Sequence, residues 1–431
     1  MRITFYGGAG EVGRSCVLVE EGRRNIMLDC GIKLGEQVEF PLIDDSELRR
    51  IENIVISHAH LDHSGYTPHV YSKNARPKIY MTKPTRDLMA VLLADYYRIQ
   101  KGKGKRLFSE KDVNDVLMEG NLIEYGKKTD TSIPFSLHPA GHVMGSAMIL
   151  IHKNGGILYT GDISMRKTRI LNPCERGLKA ETLIMETTYG SREDILPSLK
   201  EASQQLIKII NETLENGGHV IIPSFAVGRA QEILLTLDDY MRSGALHPTR
   251  VYIEGMIGKA MRIYRHNAIY ANDDIKNRIL MSEDDPFKST NFYIPRTKTK
   301  EDVLKEPSII VSTSGMLMGG PIIFYLEKLG QDSKNTLIFV GYQAPGTTGR
   351  KVLDGERKIR IGEKEIELKL RIERVKISGH ADFNELQQFA KEIKGLKRIY
   401  LMHGEKTELK DVLERKYEVI VPRLLETYGI S

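Results

Sequence analysis

Val55-Ile56-Ser57-His58-Ala59-His60-Leu61-Asp62-His63 is the stretch whose reading decides this chain. Three histidines and one aspartate fall within six positions, directly after a short apolar run. The run reads as a buried strand over Asn53–Ser57, which puts the polar cluster at its carboxyl end. Loops carried there on a rigid sheet commonly hold functional groups. Imidazole and carboxylate together suit zinc, and ligands this dense can serve two neighbouring ions. A lone histidine is more often a hydrogen-bonded structural residue. Four ligand-type side chains at one strand end have no structural benefit to offer.

Working towards the N-terminus, Arg2–Tyr6, Ser15–Glu20 and Asn25–Cys30 read as strands, the last closing on Asp29 before Gly31. The loop Gly7–Gly13 is glycine-rich, but a strand rather than a helix follows it. That disfavours a dinucleotide fingerprint and favours a tight turn near the cluster. Downstream, Ser64–Ser72 and Pro84–Gln100 read as helices around a strand at Lys78–Thr82. The basic loop of Lys101, Lys103, Lys105 and Arg106 reads as solvated, with a substrate contact as the alternative. Strands follow at Phe135–Ala140, Ala147–His152, Gly156–Thr160 and Thr182–Glu186. His142, Asp162 and Glu186 sit at or just past their ends.

From residue 195 the rhythm changes. Helices at Leu199–Asn216, Gly228–Ser243 and Pro321–Leu329 alternate with strands at His219–Pro223, Arg250–Gly255, Ser308–Ser312 and Asn335–Tyr342. Such alternation means βαβ units and a parallel sheet. Lys358–Ile361 and Glu365–Lys376 read as a charged hairpin. Site-like chemistry then returns at His380 and, after a strand over Arg398–Met402, at His403.

The composition is that of a soluble globular protein: 431 residues, 41% hydrophobic, 28% charged and a net charge of +6. No run approaches the roughly 20 apolar residues of a membrane helix. The N-terminus passes straight into a strand, so no signal peptide is expected. Cys16, Cys30 and Cys174 form neither a disulfide framework nor a C-x-x-C clip, and a reduced cytoplasmic setting is the simplest expectation. The positive charge permits a polyanionic partner without demanding one.

The H-x-H-x-D-H motif resembles that of the metallo-β-lactamase superfamily. Ala140-Gly141-His142 and Thr160-Gly161-Asp162 are similar to its later ligand motifs. The inserted α/β stretch, with Ser378-Gly379-His380-Ala381-Asp382 and Leu401-Met402-His403-Gly404-Glu405 after it, resembles the β-CASP nuclease branch. Three further stretches, Gly7–Cys16, Ser312–Pro321 and Gly341–Arg350, look like the nuclease subunit of the cleavage and polyadenylation specificity factor and its archaeal relatives, in their short form without KH domains. The resemblance implies an αββα sandwich with an inserted parallel-sheet domain: 1–194 and 351–431 forming the lactamase fold, 195–350 the β-CASP insertion. It further implies two zinc ions, one held by His58, His60 and His142, the other by Asp62, His63 and His403, with Asp162 bridging. Asp29 would orient ligands or metal-bound water. His380 would protonate the leaving oxygen, oriented by Glu186.

Phosphodiester hydrolysis fits such a site. Two zincs activate water and neutralise phosphate charge, and a histidine of ordinary pKa about 6.5 can supply the proton. The function this implies is endonucleolytic cleavage of single-stranded RNA, leaving a 3′-hydroxyl and a 5′-phosphate, in RNA 3′-end processing or decay. Ser224 and Arg229, where a strand turns into a helix, and the loop holding Ser314 and Gly315 are candidate RNA contacts; an ordinary turn is the alternative for each. A 5′→3′ exoribonuclease of ribonuclease J type, a small-molecule metallo-hydrolase and a non-catalytic subunit of an RNA-processing complex are the competing readings. Family resemblance also allows a homodimer.

Overall fold

A computed structural model describes residues 1–430 apart from positions 36, 103, 105, 283, 296, 362 and 363. Lys103 and Lys105 of the basic loop therefore lie outside the described residues, while Lys101 and Arg106 are exposed. The chain divides into two units. One comprises Met1–Lys167, Leu171–Ile195 and Gly379–Ser431; the other comprises Thr168–Ile170 and Leu196–Ser378.

Two sheets stack in the first unit. One has seven strands in the order Thr427–Gly429, Arg2–Gly7, Cys16–Glu21, Arg24–Leu28, Asn53–Val55, Lys78–Met81 and Asn121–Leu122. The other has six: Glu418–Ile420, Arg398–Met402, Thr182–Glu186, Ile157–Tyr159, Ala147–Ile151 and Phe135–Pro139. Because side chains alternate along a strand, one face of each sheet can be wholly apolar. Ile3, Phe5, Val17 and Val19 from the first sheet meet Phe135, Leu137, Ile149 and Tyr400 from the second in one buried cluster. Burying a side chain of this size contributes about 1.5–3 kcal/mol. The opposite face of the second sheet presents Met148, Leu150, Leu158 and Leu183 to Phe383, Leu386, Phe389 and Leu409 of helices Phe383–Glu392 and Glu408–Leu413. On the other side, helix Glu110–Glu119 lies against strand Lys78–Met81. The layers are thus helix, sheet, sheet, helix, the expected αββα sandwich.

The second unit holds a six-stranded parallel sheet in the order Phe292–Tyr293, Val251–Glu254, Ile309–Ser312, Val220–Pro223, Thr336–Val340 and Arg371–Val375. Its α/β character matches the sequence reading. The last strand is a correction. The expected hairpin is present but shorter: its second arm ends at Glu367 instead of running on to Lys376. Lys358–Ile361 pairs with Lys364–Glu367, after which the amides of Lys369 and Leu370 both turn to the Gly330 carbonyl. Arg371–Val375 then runs parallel to Thr336–Val340, and the second unit continues to Ser378, past the boundary expected at 350. The charged run thus divides between the hairpin and an edge strand, where charged side chains are common.

No helix among the described residues is long and apolar enough to cross a membrane.

Candidate metal centre

The ligand stretch is held by its backbone before its side chains are considered. The amides of Ser15, Cys30 and Ile32 donate to the carbonyls of Asp62, His63 and Leu61 at 2.8, 2.8 and 2.9 Å. Gly31 sits where these chains cross; a Cβ there would overlap the Asp62 carbonyl oxygen, so only glycine allows the approach. The glycine-rich loop near the N-terminus meets the same region, since the Gly8 carbonyl accepts the His403 amide at 2.6 Å.

His58, His60, His142 and Asp162 form one group of converging donor atoms. His60 Nδ1 lies 3.1 Å from His58 Nε2 and 3.2 Å from His142 Nε2, while Asp162 Oδ2 lies 3.5 and 3.6 Å from the same two nitrogens. Zinc ligands at about 2.0–2.2 Å in a tetrahedron stand about 3.3–3.6 Å apart, close to these separations. A second group forms on the other oxygen of the same carboxylate: Asp162 Oδ1 is 3.3 Å from His63 Nε2 and 3.4 Å from His403 Nδ1. His403 Nε2 is also 3.5 Å from Asp62 Oδ2. His63 Nε2, His403 Nε2 and Asp162 Oδ1 are buried without a hydrogen-bond partner; the first and last are close but misaligned for a bond. Orphaned buried polar atoms are costly, and a cation among them satisfies all three. The residues present therefore fit two metal ions sharing Asp162.

A further shell fixes the rings. Asp29 accepts the Ser57 amide, the Ser57 hydroxyl and the Tyr159 hydroxyl at 2.6, 2.7 and 2.7 Å, and His63 Nδ1 at 2.6 Å. That bond leaves Nε2 of His63 towards the second group. His142 Nδ1 faces the Gly379 carbonyl at 2.9 Å, which turns its Nε2 to the first group. His403 Nδ1 lies 3.3 Å from the Thr188 hydroxyl.

The electrostatics divide the two groups. Burial pushes the His58 and His142 imidazoles well below their ordinary range, so both are held neutral. Burial works against charge on His63 too, but Asp162, Asp29 and Asp62 outweigh it and hold His63 well above that range. Against burial, His63, His403 and His380 hold Asp162 well below the usual carboxylate range.

Beside the first group stand His380 and Glu186. His380 Nδ1 is 2.9 Å from Glu186 Oε2, and Glu186 Oε1 accepts the Ile163 amide at 2.7 Å. The His380 ring packs on that of His142 with centroids 4.5 Å apart. Helix Phe383–Glu392 begins just after His380. Asp382 caps it with Glu385 in a reciprocal box, and Arg166 bridges both carboxylates at 2.6 Å each. His380 thus stands between a strand end and a clamped helix start.

The first unit brings together Asp29, His58, His60, Asp62, His63, His142, Asp162, Glu186, His380 and His403. The sequence reading did not reach Ser57, Tyr159 or Thr188. In the second unit, Arg229 opens helix Arg229–Arg242. Gly315 abuts Ser224 and Phe225 so closely that a Cβ would stand 2.9 Å from the Phe225 amide nitrogen. The Ser224 hydroxyl is fully buried and turns to the Phe225 carbonyl at 3.3 Å, so it offers no RNA contact from this position. The Ser314 hydroxyl donates to the Gly319 carbonyl and accepts the Met318 amide, both at 3.0 Å.

Comparison with known proteins agrees with this fold. The Metallo-beta-lactamase superfamily matches residues 9–211, the Beta-Casp domain 230–352, and the Zn-dependent metallo-hydrolase RNA specificity domain 365–422. The chain belongs to the metallo-β-lactamase superfamily, a metal-dependent class, and within it to the β-CASP branch of nucleases. Among its relatives is a Methanocaldococcus jannaschii protein named transcription termination factor FttA, 39% identical over 100% of this chain and 72% of that one. A Pyrococcus abyssi protein of the same name is 37% identical over 97% and 69%. An RNase J-like protein of M. jannaschii is 38% identical over 94% of this chain and 92% of its own length. A crystal structure of a protein of unknown function from Enterococcus faecalis V583 matches with a TM-score of 0.60 over 99% of both chains at 16% identity, a likeness of fold.

Proposed function

We propose that the protein is a zinc-dependent endoribonuclease that cuts single-stranded RNA to leave a 3′-hydroxyl and a 5′-phosphate, in RNA 3′-end processing or decay. The observation that carries this reading is the sharing of Asp162 between two ligand groups, with the His380–Glu186 pair beside them. Two zinc ions held there supply a nucleophile at neutral pH and positive charge against the phosphate. The side chains of this chain do the rest. Asp29 holds His63 in one orientation. Glu186 takes Nδ1 of His380, which leaves Nε2 as the nitrogen that gives a proton to the departing oxygen. Arg229 and the Ser314–Gly315 loop contact phosphates of the strand. The match to an RNA specificity domain supports RNA as substrate, and the relatives named termination factors support a place at transcript ends.

A 5′→3′ exoribonuclease is the second reading, favoured by the RNase J-like relative. A small-molecule hydrolase leaves the β-CASP match without a purpose.

End-labelled single-stranded RNA tests the proposal when incubated with zinc-loaded protein, with chelator-treated protein and with the His380→Ala variant. Internal fragments from the first alone are expected. Intact RNA in every arm, with zinc bound, contradicts the nuclease reading.

A further inference from the structure

The stretch Gly341–Arg350 marks the family resemblance, yet no role in the reaction falls to it. In the second unit this stretch walls a cavity of about 350 Å³. Ligand sites run from about 300 to 1,000 Å³, so the space suits one nucleotide rather than a folded partner. Its lining includes Tyr342 and the charged residues Arg350, Asp354, Arg357, Glu373 and Arg374.

The charge in this cavity does not cancel locally. Asp354 is taken by Arg350, at 2.9 Å from its Nε. Glu373 is taken by Arg371, which is not part of the lining, at 2.7 Å. Arg357 and Arg374 make no ion pair among the described residues. Arg357 and Arg374 thus line one concavity whose two carboxylates, Asp354 and Glu373, are already engaged. A guanidinium fork matches the oxygens of a phosphate, and an aromatic ring beside it can stack on a base.

We infer that this cavity is a second RNA subsite, made of residues the metal centre does not use, where Arg357 and Arg374 grip backbone phosphates of the single-stranded substrate. The inference rests on the ribonuclease reading. It adds affinity for longer strands without touching the reacting bond, so its loss raises KM and leaves kcat alone.

The test compares the double variant Arg357→Ala/Arg374→Ala with a control, Lys200→Ala/Lys288→Ala, which removes two exposed charges of the same unit away from the cavity. Binding of a fluorescent 20-nucleotide single-stranded RNA is followed by anisotropy between 50 and 300 mM salt. His380→Ala is present in all arms, and gels confirm that the RNA stays intact. Each phosphate contact on a single strand contributes about 0.7 to the slope of log affinity against log salt. Loss of two contacts is expected to flatten the slope by about 1.4, with the control near the parent value. Equal slopes in parent and cavity variant overturn the subsite. So does competition in which millimolar inorganic phosphate or adenosine monophosphate binds the parent through these arginines while the RNA still binds as before, since the site then serves a small phosphorylated ligand. Failure of the parent itself to bind RNA counts against the ribonuclease reading instead. In the His380-containing protein, cleavage of the same RNA is expected to show KM raised at least fivefold and kcat unchanged; a fall in kcat alone contradicts the inference.

Discussion

Nδ1 of His63 lies 2.6 Å from Oδ2 of Asp29, and both side chains are buried. One carboxylate thus fixes the face that His63 turns to the second ligand group, while Ser57 and Tyr159 hold the carboxylate in turn. In Asp29→Asn the amide group must present a donor to a site already crowded with donors. Such partners of metal ligands are typically worth about 10–100-fold in metal affinity. The variant is expected to lose the second ion preferentially and keep the first, as measured by competition with a chromophoric chelator. Tyr159→Phe removes one of the bonds to Asp29 and is expected to show a smaller loss of the same ion.

The two ligand groups should also separate with pH. His58 and His142 are held neutral by burial, so no proton need leave them near neutrality. Despite its burial, His63 is held protonated in the metal-free protein by Asp162, Asp29 and Asp62. An ion at the second group displaces that proton, and its affinity is expected to fall about tenfold per pH unit as pH drops below the raised pKa of His63. The sign for stability runs the other way. With a folded pKa above the unfolded one near 6.5, His63 stabilises the metal-free fold at low pH and loses that contribution as pH rises through the folded value. Metal titrations at several pH values check this; parallel loss of both ions contradicts it.

In the proposed reaction His380 acts on the proton rather than on the metal. His380→Ala is expected to lower the cleavage rate about 10²–10⁴-fold, the usual worth of general acid–base help. Metal content should stay at the parent level. A variant that loses metal as well would assign the residue to the ligand set.

Gly31→Ala tests the backbone clamp. The added methyl overlaps the Asp62 carbonyl, and overpacking of this kind costs about 1–3 kcal/mol. Lower stability in urea together with weaker metal binding is expected, because the displaced segment carries Asp62 and His63.

Much of this site is legible in the sequence because its chemistry is concentrated. His58, His60, Asp62 and His63 share one loop, and Asp29, Asp162, Glu186 and His403 each follow an apolar strand. Ser57 and Tyr159 leave no such mark: a serine beside a histidine and a tyrosine in an apolar strand are unremarked until Asp29 is seen between them. The strand Arg371–Val375 was misread for a related reason. A charged, strand-like run does not name its partner strand, and only the pairing with Thr336–Val340 separates Arg371–Val375 from the hairpin before it. The C-terminal segment carries little pattern of its own, yet Thr427–Gly429 pairs with Arg2–Thr4 and adds an outer strand to the first sheet. The buried Ser224 hydroxyl shows the converse, a polar residue at a plausible turn whose side chain is spent on its own backbone.

The central claim is that the metal centre cuts within a single-stranded RNA. A circular single-stranded RNA has no 5′ end, so incubating it with the zinc-loaded protein separates internal cleavage from end-dependent trimming. The account predicts a linear product bearing a 5′-phosphate and a 3′-hydroxyl, absent with His380→Ala. Circles that survive while a linear RNA of the same sequence is degraded from its 5′ end would contradict it.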